Sequence, residues 1–219
     1  TEFPNSKFVV INNTVTGPNL ASLEFKNEEC GYLAGVLAGL MTKGNKVGAV
    51  GGWEIPSIVR AINGFEEGAK SVNPDVEVFT AYTGSWDDIA KGKEAGLAII
   101  DRGADVIWEF ADAAGLGVIE AAKETGILAI GGVADKGGVA PDTVIATSIE
   151  EIPPLIVDTV KTVLDGKFEG KEYWFGVAEG PIRLVSITDK VPADVKEKVL
   201  QVQSDIAEGK IVVERKDTR

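Results

Sequence analysis

Three of the four tryptophans lie in or directly after apolar runs of this 219-residue chain, where a flat ligand could stack on them. Trp53 and Trp86 lie in turns that follow two of these runs, and Trp108 lies within a third. Stacking of a base on an aromatic ring contributes about 1–3 kcal/mol in nucleic-acid complexes. Each ring can equally fill a hydrophobic core, so the sequence leaves both interpretations open.

Aspartates occupy the loops that follow successive apolar runs. Asp112 and Asp135 can accept hydrogen bonds from ligand hydroxyls, but they can also cap helices or stabilise turns. Asp142 stands beside Pro141, which is more typical of a turn. Paired carboxylates also serve glycosidases, although a sequence does not provide the separation that such chemistry requires.

The composition excludes several classes of function. A net charge of −12, from 22 Lys+Arg against 34 Asp+Glu, disfavours binding to nucleic acid and to anionic lipid. The chain has no histidine, which removes Ser-His-Asp and Cys-His catalysis and the commonest transition-metal ligand. We therefore expect no metal and no cofactor. Cys30 is the single cysteine, so no disulfide can form within the chain.

Apolar runs alternate with amphipathic segments from residue 46 to about residue 147, which predicts βαβ units around a parallel sheet. The first unit, residues 46–72, has a strand, the turn Gly51-Gly52 and a helix with Pro56 in its first turn. It lacks both phosphate-binding fingerprints, G-x-G-x-x-G and G-x-x-x-x-G-K-[ST]. Ligands of such sheets bind beyond the carboxyl ends of the strands, where the tryptophans and aspartates lie.

The segments on either side of this repeat predict parts of a second α/β unit. Before it we expect one core strand, Phe8–Ile11, and a helix over 27–43 whose small residues favour close packing. After it we expect a helix, two strands, a helix and a final short strand at 211–213. Ser85 and Ser148 are predicted helix caps. One strand is too little for a sheet, so the first unit is predicted to be incomplete in this chain.

This pattern predicts three segments in two lobes. Residues 1–45 form part of the first lobe, residues 46–146 form the second, and residues 147–219 return to the first. The chain is predicted to cross between them at 43–45 and near 147.

Six stretches of the chain resemble the basic membrane protein family, the substrate-binding lipoproteins that include the purine nucleoside receptor. They are FPNSKFVVIN, ECGYLAGVLAGLMTK, KVGAVGGWEIPSIVRAINGFEEGAKSVNP, YTGSWDDIAKGKE, RGADVIWEFADAAGLGVIEAAKE and SDIAEGKIVV. The resemblance implies a periplasmic-binding-protein type I fold, in which two doubly wound parallel-sheet lobes clamp a ligand across a hinge. It also implies delivery of a nucleoside or purine to an ABC transporter permease, an extracytoplasmic location (periplasmic or cell-surface), and a lipid anchor on a missing N-terminal part.

The resemblance also assigns site residues. Asn12 stands where the family has Asp, and Trp86 and Trp108 stand where it has Phe. The I-G-V-D-x-D loop keeps its second acid as Asp135, with Val133 in place of the first, and Glu150-Glu151 replace a lysine. The departures leave the exact ligand open, either another purine or a ligand outside the purines. The predicted ligand-binding residues are Asn12, Trp53, Trp86, Trp108, Asp112, Asp135 and Glu151.

The sequence thus predicts a solute-binding protein of an ABC importer that takes a purine nucleoside or related small polar ligand without catalysis. Two alternatives remain at this point. One is a cytoplasmic ligand-sensing regulator of the same fold. The other is an enzyme that acts on nucleosides or sugars through carboxylates.

Overall fold

The computed structural model describes residues 3–219, and within this range the chain forms nine strands and six helices. They are β1 (Phe8–Ile11), β2 (Leu20–Phe25), α1 (Asn27–Met41), β3 (Lys46–Gly51), α2 (Pro56–Val72), β4 (Glu77–Tyr82), α3 (Ile89–Ile100), β5 (Val106–Phe110), α4 (Gly115–Thr125), β6 (Leu128–Val133), β7 (Val144–Glu150), α5 (Ile152–Leu164), β8 (Glu172–Phe175), β9 (Ile182–Val185) and α6 (Ala193–Ala207).

The strands form two sheets. The larger sheet has the order β4-β3-β5-β6-β7-β9, in which only β9 is antiparallel to its neighbour. The smaller sheet has the order β1-β2-β8 and is entirely parallel. The predicted α/β class with parallel sheets is therefore confirmed.

Helices cover both faces of the larger sheet, which explains why its strands are predominantly apolar. Successive residues of β5 face opposite layers: Val106 and Trp108 pack into the core beneath α1 and α2, whereas Ile107 packs into the core formed with α3 and α4. The period of two in a strand produces this division. No helix within residues 3–219 is long and apolar enough to cross a membrane.

Glycines bring α1 and α2 into direct backbone contact. A Cβ atom added to Gly31 would lie 1.8 Å from the carbonyl oxygen of Ala61, and one added to Gly35 would lie 2.0 Å from that of Phe65. Only glycine fits at such a distance. The close packing expected from the small residues of this segment is confirmed, and its partner is α2.

This packing corrects the predicted lobe boundaries. The prediction placed α1 in the first lobe, but α1 packs on α2 and against β5 and β7 of the larger sheet. The chain therefore crosses at Lys26, between Phe25 and Asn27, and not at 43–45. Strands β7 and β9 also belong to the larger sheet, so the return to the smaller sheet consists of α5 and β8.

Several local predictions also need correction. The core strand of the smaller sheet is the unpredicted β2, whereas Phe8 and Val9 of β1 are 44% and 38% exposed. Helix α3 is capped by the Asp88 carboxylate, which accepts from the Lys91 N–H, and Ser85 only supports the preceding turn. Ser148 lies inside β7, and residues 211–213 form no strand.

Candidate ligand-binding site

A cavity of about 440 Å³ lies where the smaller sheet meets the N-terminus of α2. Its walls come from the segment after β1, the end of β2, the first turn of α2 and the segment that follows α6. A volume of this size falls in the range of small-molecule sites. The lining residues are Asn12, Asn13, Thr14, Glu24, Ile55, Pro56, Ser57, Arg60, Arg215 and Asp217.

Arg60 is the central charge of this cavity. Its Nη2 lies 2.8 Å from Glu24 Oε2, and its Nη1 lies 3.2 Å from Asp217 Oδ1. The side chains of Arg60 and Glu24 are only 3% and 2% exposed. A buried charge needs a close partner because desolvation is costly, and Glu24 provides it. Nε of Arg60 has no hydrogen-bond partner within the described range of 3–219.

An aromatic ring of the smaller sheet lies against the two arginines of the cavity. The guanidinium of Arg60 is 5.3 Å from the ring centroid of Trp174, and that of Arg215 is 4.1 Å away. Cations are attracted to the face of an indole at such distances. Trp174 therefore helps to hold both cations beside the cavity.

A second buried carboxyl group, that of Glu150, borders this network. Asn27 Nδ2 donates a 2.6 Å hydrogen bond to Glu150 Oε1, and Asn27 Oδ1 lies 3.5 Å from Arg60 Nη2. Burial raises the pKa of Glu150 to about 8. The Asn27 hydrogen bond and the charge of Arg60 oppose the shift, whereas the negative charge of Asp112 adds to it.

Glu109 connects the ends of two neighbouring strands of the larger sheet. Its Oε1 accepts a 2.8 Å hydrogen bond from the N–H of Gly132 in β6, and its Oε2 accepts one of 3.3 Å from the N–H of Ala111 after β5. Burial raises its pKa to about 8, although the Lys136 ammonium opposes this. The carboxyl group thereby fixes the loops that carry Asp112 and Asp135.

Strained backbone marks the carboxyl ends of three strands. Asn12 after β1, Asp112 after β5 and Val133 at the end of β6 have φ values of 57°, 51° and 66°. The left-handed region is unfavourable for residues other than glycine, and most of all for a β-branched valine. Such strain concentrates at functional sites, so these strand ends are candidates for ligand contact.

The structure distinguishes the three predicted tryptophans. Trp108 is fully buried, with its ring stacked 5.4 Å from Phe65 and 5.0 Å from Phe110 and its Nε1 donating to Ser148 Oγ at 3.0 Å. It fills the core in this structure and has no surface to offer a ligand, which corrects its assignment to the site.

The other two tryptophans lie at the Gly51-Gly52 turn or beside it. Trp53 is 48% exposed. Trp86 is partly buried, and its ring lies over Gly52 so closely that a Cβ atom there would be 2.2 Å from Cζ3. Both remain available as aromatic surfaces at the carboxyl edge of the larger sheet.

Of the predicted polar residues, only Asn12 lines the cavity. Asp112 and Asp135 are exposed at the ends of β5 and β6. Asp135 accepts from the Gly137 N–H at 2.9 Å and from the Ser186 hydroxyl at 2.7 Å, and these bonds lower its pKa. The structure thus gives Asp135 a role in its own turn, while Asp112 remains a candidate.

Glu151, a predicted ligand-binding residue, lies directly after β7. Its Oε2 lies 2.7 Å from Arg183 Nη1 in a partly exposed ion pair. The adjacent Glu150 is the one whose side chain is buried beside Asn27. Successive residues of a strand point to opposite faces, so a shift of one position exchanges the two environments.

The sequence interpretation missed Glu24, Asn27 and Arg60. A signal for two of them was present, because Arg60 is the only charged residue between Ser57 and Phe65, and Glu24 is the only one in the run LASLEF. A single charge inside an apolar run indicates a buried partner of opposite sign. That the two charges pair with each other required the structure.

A sequence model of the family described as ABC transporter substrate-binding protein PnrA-like matches residues 1–217. The chain belongs to this family. The purine-binding protein of Brucella abortus is 33% identical to the PnrA-like chain, over 96% of this chain and 59% of that protein. The nucleoside-binding protein BmpA of Lactococcus lactis is 32% identical, over 97% and 66% respectively. The PnrA-like chain thus spans 59% and 66% of the length of these two curated relatives.

The solved structure of a transcriptional activator of the comK gene from Bacillus halodurans superposes with a TM-score of 0.88. It is 28% identical, and the match covers 97% of this chain and 74% of that chain. Solved ABC transporter solute-binding proteins share the same architecture. The fold of the PnrA-like chain is therefore that of the periplasmic-binding-protein class, as predicted.

Proposed function

We propose that this PnrA-like chain binds a purine nucleoside or a related small polar ligand and passes it, chemically unchanged, to an ABC transporter permease. The observation that carries the proposal is the cavity of about 440 Å³ between the smaller sheet and α2, lined by Asn12, Glu24 and Arg60. The family description and the names of the purine- and nucleoside-binding relatives support this class of ligand.

The cavity offers the contacts that a nucleoside needs. The Asn12 amide both donates and accepts hydrogen bonds, Ser57 and Arg60 donate, and the Glu24 carboxylate accepts. Trp53 and Trp86, beside the turn after β3, supply aromatic surface for the flat base. The ligand is enclosed when the two sheets approach each other by rotation about Lys26 and about the link between Glu150 and α5.

The proposal extends to location and partners. We place the protein outside the cytoplasm, at the membrane through a lipid anchor, where the permease is its protein partner. The net charge of −12 disfavours nucleic acid as a partner.

Calorimetric titration of the chain with adenosine, inosine, guanosine, the free bases and ribose tests the proposal. We expect at least one purine nucleoside to bind about 10-fold or more tightly than ribose, because the base adds stacking and hydrogen bonds. Asn12→Ala should weaken this binding, whereas Lys161→Ala on the exposed surface of α5 should not. Chromatography after prolonged incubation should recover the nucleoside intact. Absence of binding by every purine compound would refute the purine assignment.

A second candidate function is ligand sensing by a regulator, and the close superposition on the activator of comK favours it. The two functions predict different places and phenotypes for the whole protein. A transporter component is found in the membrane fraction, and its deletion abolishes nucleoside uptake. A regulator is found in the soluble fraction, and its deletion changes transcript levels while uptake persists.

A further inference from the structure

Residues 214–219 form a short strap that lies against α2. Asn63, near the middle of α2, holds this strap by its backbone. The Asn63 Nδ2 donates to the carbonyl oxygen of Lys216 at 3.1 Å and to that of Thr218 at 3.0 Å. One side-chain amide therefore fixes the path of the strap along the helix.

Two further contacts attach the strap at its two ends. Arg219 Nη1 lies 3.3 Å from Glu66 Oε2, one turn beyond Asn63 on α2. At the other end, the guanidinium of Arg215 is 4.1 Å from the ring centroid of Trp174 in β8. The strap therefore reaches from the smaller sheet to the middle of α2.

The strap is a wall of the cavity that has no apolar side chain of its own. Arg215 and Asp217 line the cavity, and all six residues of the strap are exposed. The nearest buried apolar side chain is that of Val213, directly before the strap. Exposed polar contacts contribute little because water competes for both partners. Segments with few buried apolar contacts open locally at a low free-energy cost, so the strap can lift while the sheets stay folded.

Separation of the strap from α2 would leave no buried charge without a partner. Arg60 Nη2 lies 2.8 Å from Glu24 Oε2, and both side chains are almost fully buried. Asp217, which also contacts Arg60, lies 3.3 Å from Arg215 within the strap itself. Arg60 therefore keeps Glu24, and Asp217 keeps Arg215, when the strap lifts. This pairing matters because an unpaired buried charge is costly.

We propose that the strap is a gate of the cavity, which lifts from α2 to admit or release a ligand and then returns. The inference goes beyond the proposed function: it concerns the same cavity, but it does not depend on which ligand binds there. A gate of this kind controls the rates of entry and exit.

Thiol labelling inside the cavity tests the gate without any ligand. Ser57 lines the cavity and is 8% exposed, so Ser57→Cys introduces a thiol whose reaction with iodoacetamide, followed by mass spectrometry, reports access. Addition of Asn63→Ala should accelerate this labelling by about 3-fold or more, because two hydrogen bonds that hold the strap are lost. The fully buried Cys30 should stay unlabelled, which excludes opening of the whole fold.

The contact at the far end of the strap provides an independent variant. Glu66→Gln weakens the pair with Arg219 and should also accelerate labelling in the Ser57→Cys background. Glu120→Gln makes the same change in an exposed pair with Lys93 on another helix and should leave the labelling rate unchanged. An unchanged rate in both strap variants would overturn the inference. Equal acceleration at Cys30 would also overturn it, because the whole fold would then be opening.

Stopped-flow binding of adenosine relates the gate to the proposed function. In Asn63→Ala the association and dissociation rate constants should rise by the same factor, about 3-fold or more, and leave the Kd unchanged. A rise in the dissociation rate constant alone would overturn the gate, because the strap would then only contact bound ligand. Accelerated labelling in a chain that binds no purine would refute the proposed function and leave the gate supported.

Discussion

Asn27 Nδ2 lies 2.6 Å from Glu150 Oε1, and this hydrogen bond joins the two segments by which the chain passes between its sheets. Asn27 begins α1 directly after the chain leaves the smaller sheet, and Glu150 ends β7 directly before the chain returns. Asn27 Oδ1 also lies 3.5 Å from Nη2 of Arg60. The conformation of the two segments that connect the sheets is therefore coupled to Arg60, the central charge of the cavity.

The buried carboxyl groups of Glu109 and Glu150 should make the fold less stable as pH rises from about 5 to about 8. Burial raises both pKa values from 4.5 to about 8, so in this window the folded chain holds protons that the unfolded chain has lost. The free energy of unfolding should then fall by up to about 1.4 kcal/mol per pH unit for each group. Urea unfolding at several pH values measures this slope.

Glu109→Gln and Glu150→Gln should each reduce that slope, because glutamine does not titrate. Glu120→Gln, in an exposed pair with Lys93, is the matched control and should leave the slope unchanged. Two outcomes would show that both groups are ionised in the folded state. One is a free energy of unfolding that rises between about pH 5 and about pH 8, and the other is a wild-type slope in both Glu109→Gln and Glu150→Gln.

Gly52→Ala should displace the Trp86 ring and destabilise the fold by about 1–3 kcal/mol, the usual cost of overpacking. The added methyl carbon would lie 2.2 Å from Cζ3 of Trp86. Urea unfolding and near-ultraviolet circular dichroism report the two effects. Gly138→Ala is the control, since no atom lies within 4 Å of the added carbon. Equal stabilities of the two variants would contradict the tight placement of Trp86.

Trp108→Phe should lower stability by about 1–3 kcal/mol and leave adenosine affinity unchanged, because the smaller phenyl ring leaves a cavity in the core and removes the bond to Ser148. Trp53→Ala, at a ring that is 48% exposed, should do the reverse and weaken adenosine binding at nearly unchanged stability. Urea unfolding and calorimetry on both variants check the pair. A loss of affinity in Trp108→Phe at wild-type stability would restore the stacking interpretation.

The larger sheet was predictable because its strands carry a strong local signal. In β3 the apolar run is continuous, and in β5 it is broken only by Glu109; both end at a turn, so strand, loop and helix could be placed without tertiary information. In β2 the run contains Ser22 and Glu24, and the burial of Glu24 makes sense only with Arg60, which is 36 residues away in the chain. Sequence patterns do not show such pairs.

The candidate site was predictable only in part, for a related reason. Asn12, which the family resemblance assigned, lines the cavity, whereas the tryptophans and aspartates that were placed at the carboxyl ends of the strands do not. Helix α1 was assigned to the wrong sheet, because an apolar face and small residues do not specify which surface they contact. Whether Glu150 or Glu151 is buried depends on the face that each side chain takes at the end of β7. Whether Trp108 is buried depends on whether β5 is a central strand of its sheet.

The contact between α1 and α2 leaves no layer of side chains between the two helices at Gly31 and Gly35. Packed helices slide past each other by repacking such a layer, so shear is unavailable at this contact. Because α1 begins beside Lys26, any rotation there carries α2 through the same angle. The two helices then move as one rigid body. A small rotation at Lys26 therefore displaces Ser57 and Arg60 in proportion to their distance from Lys26.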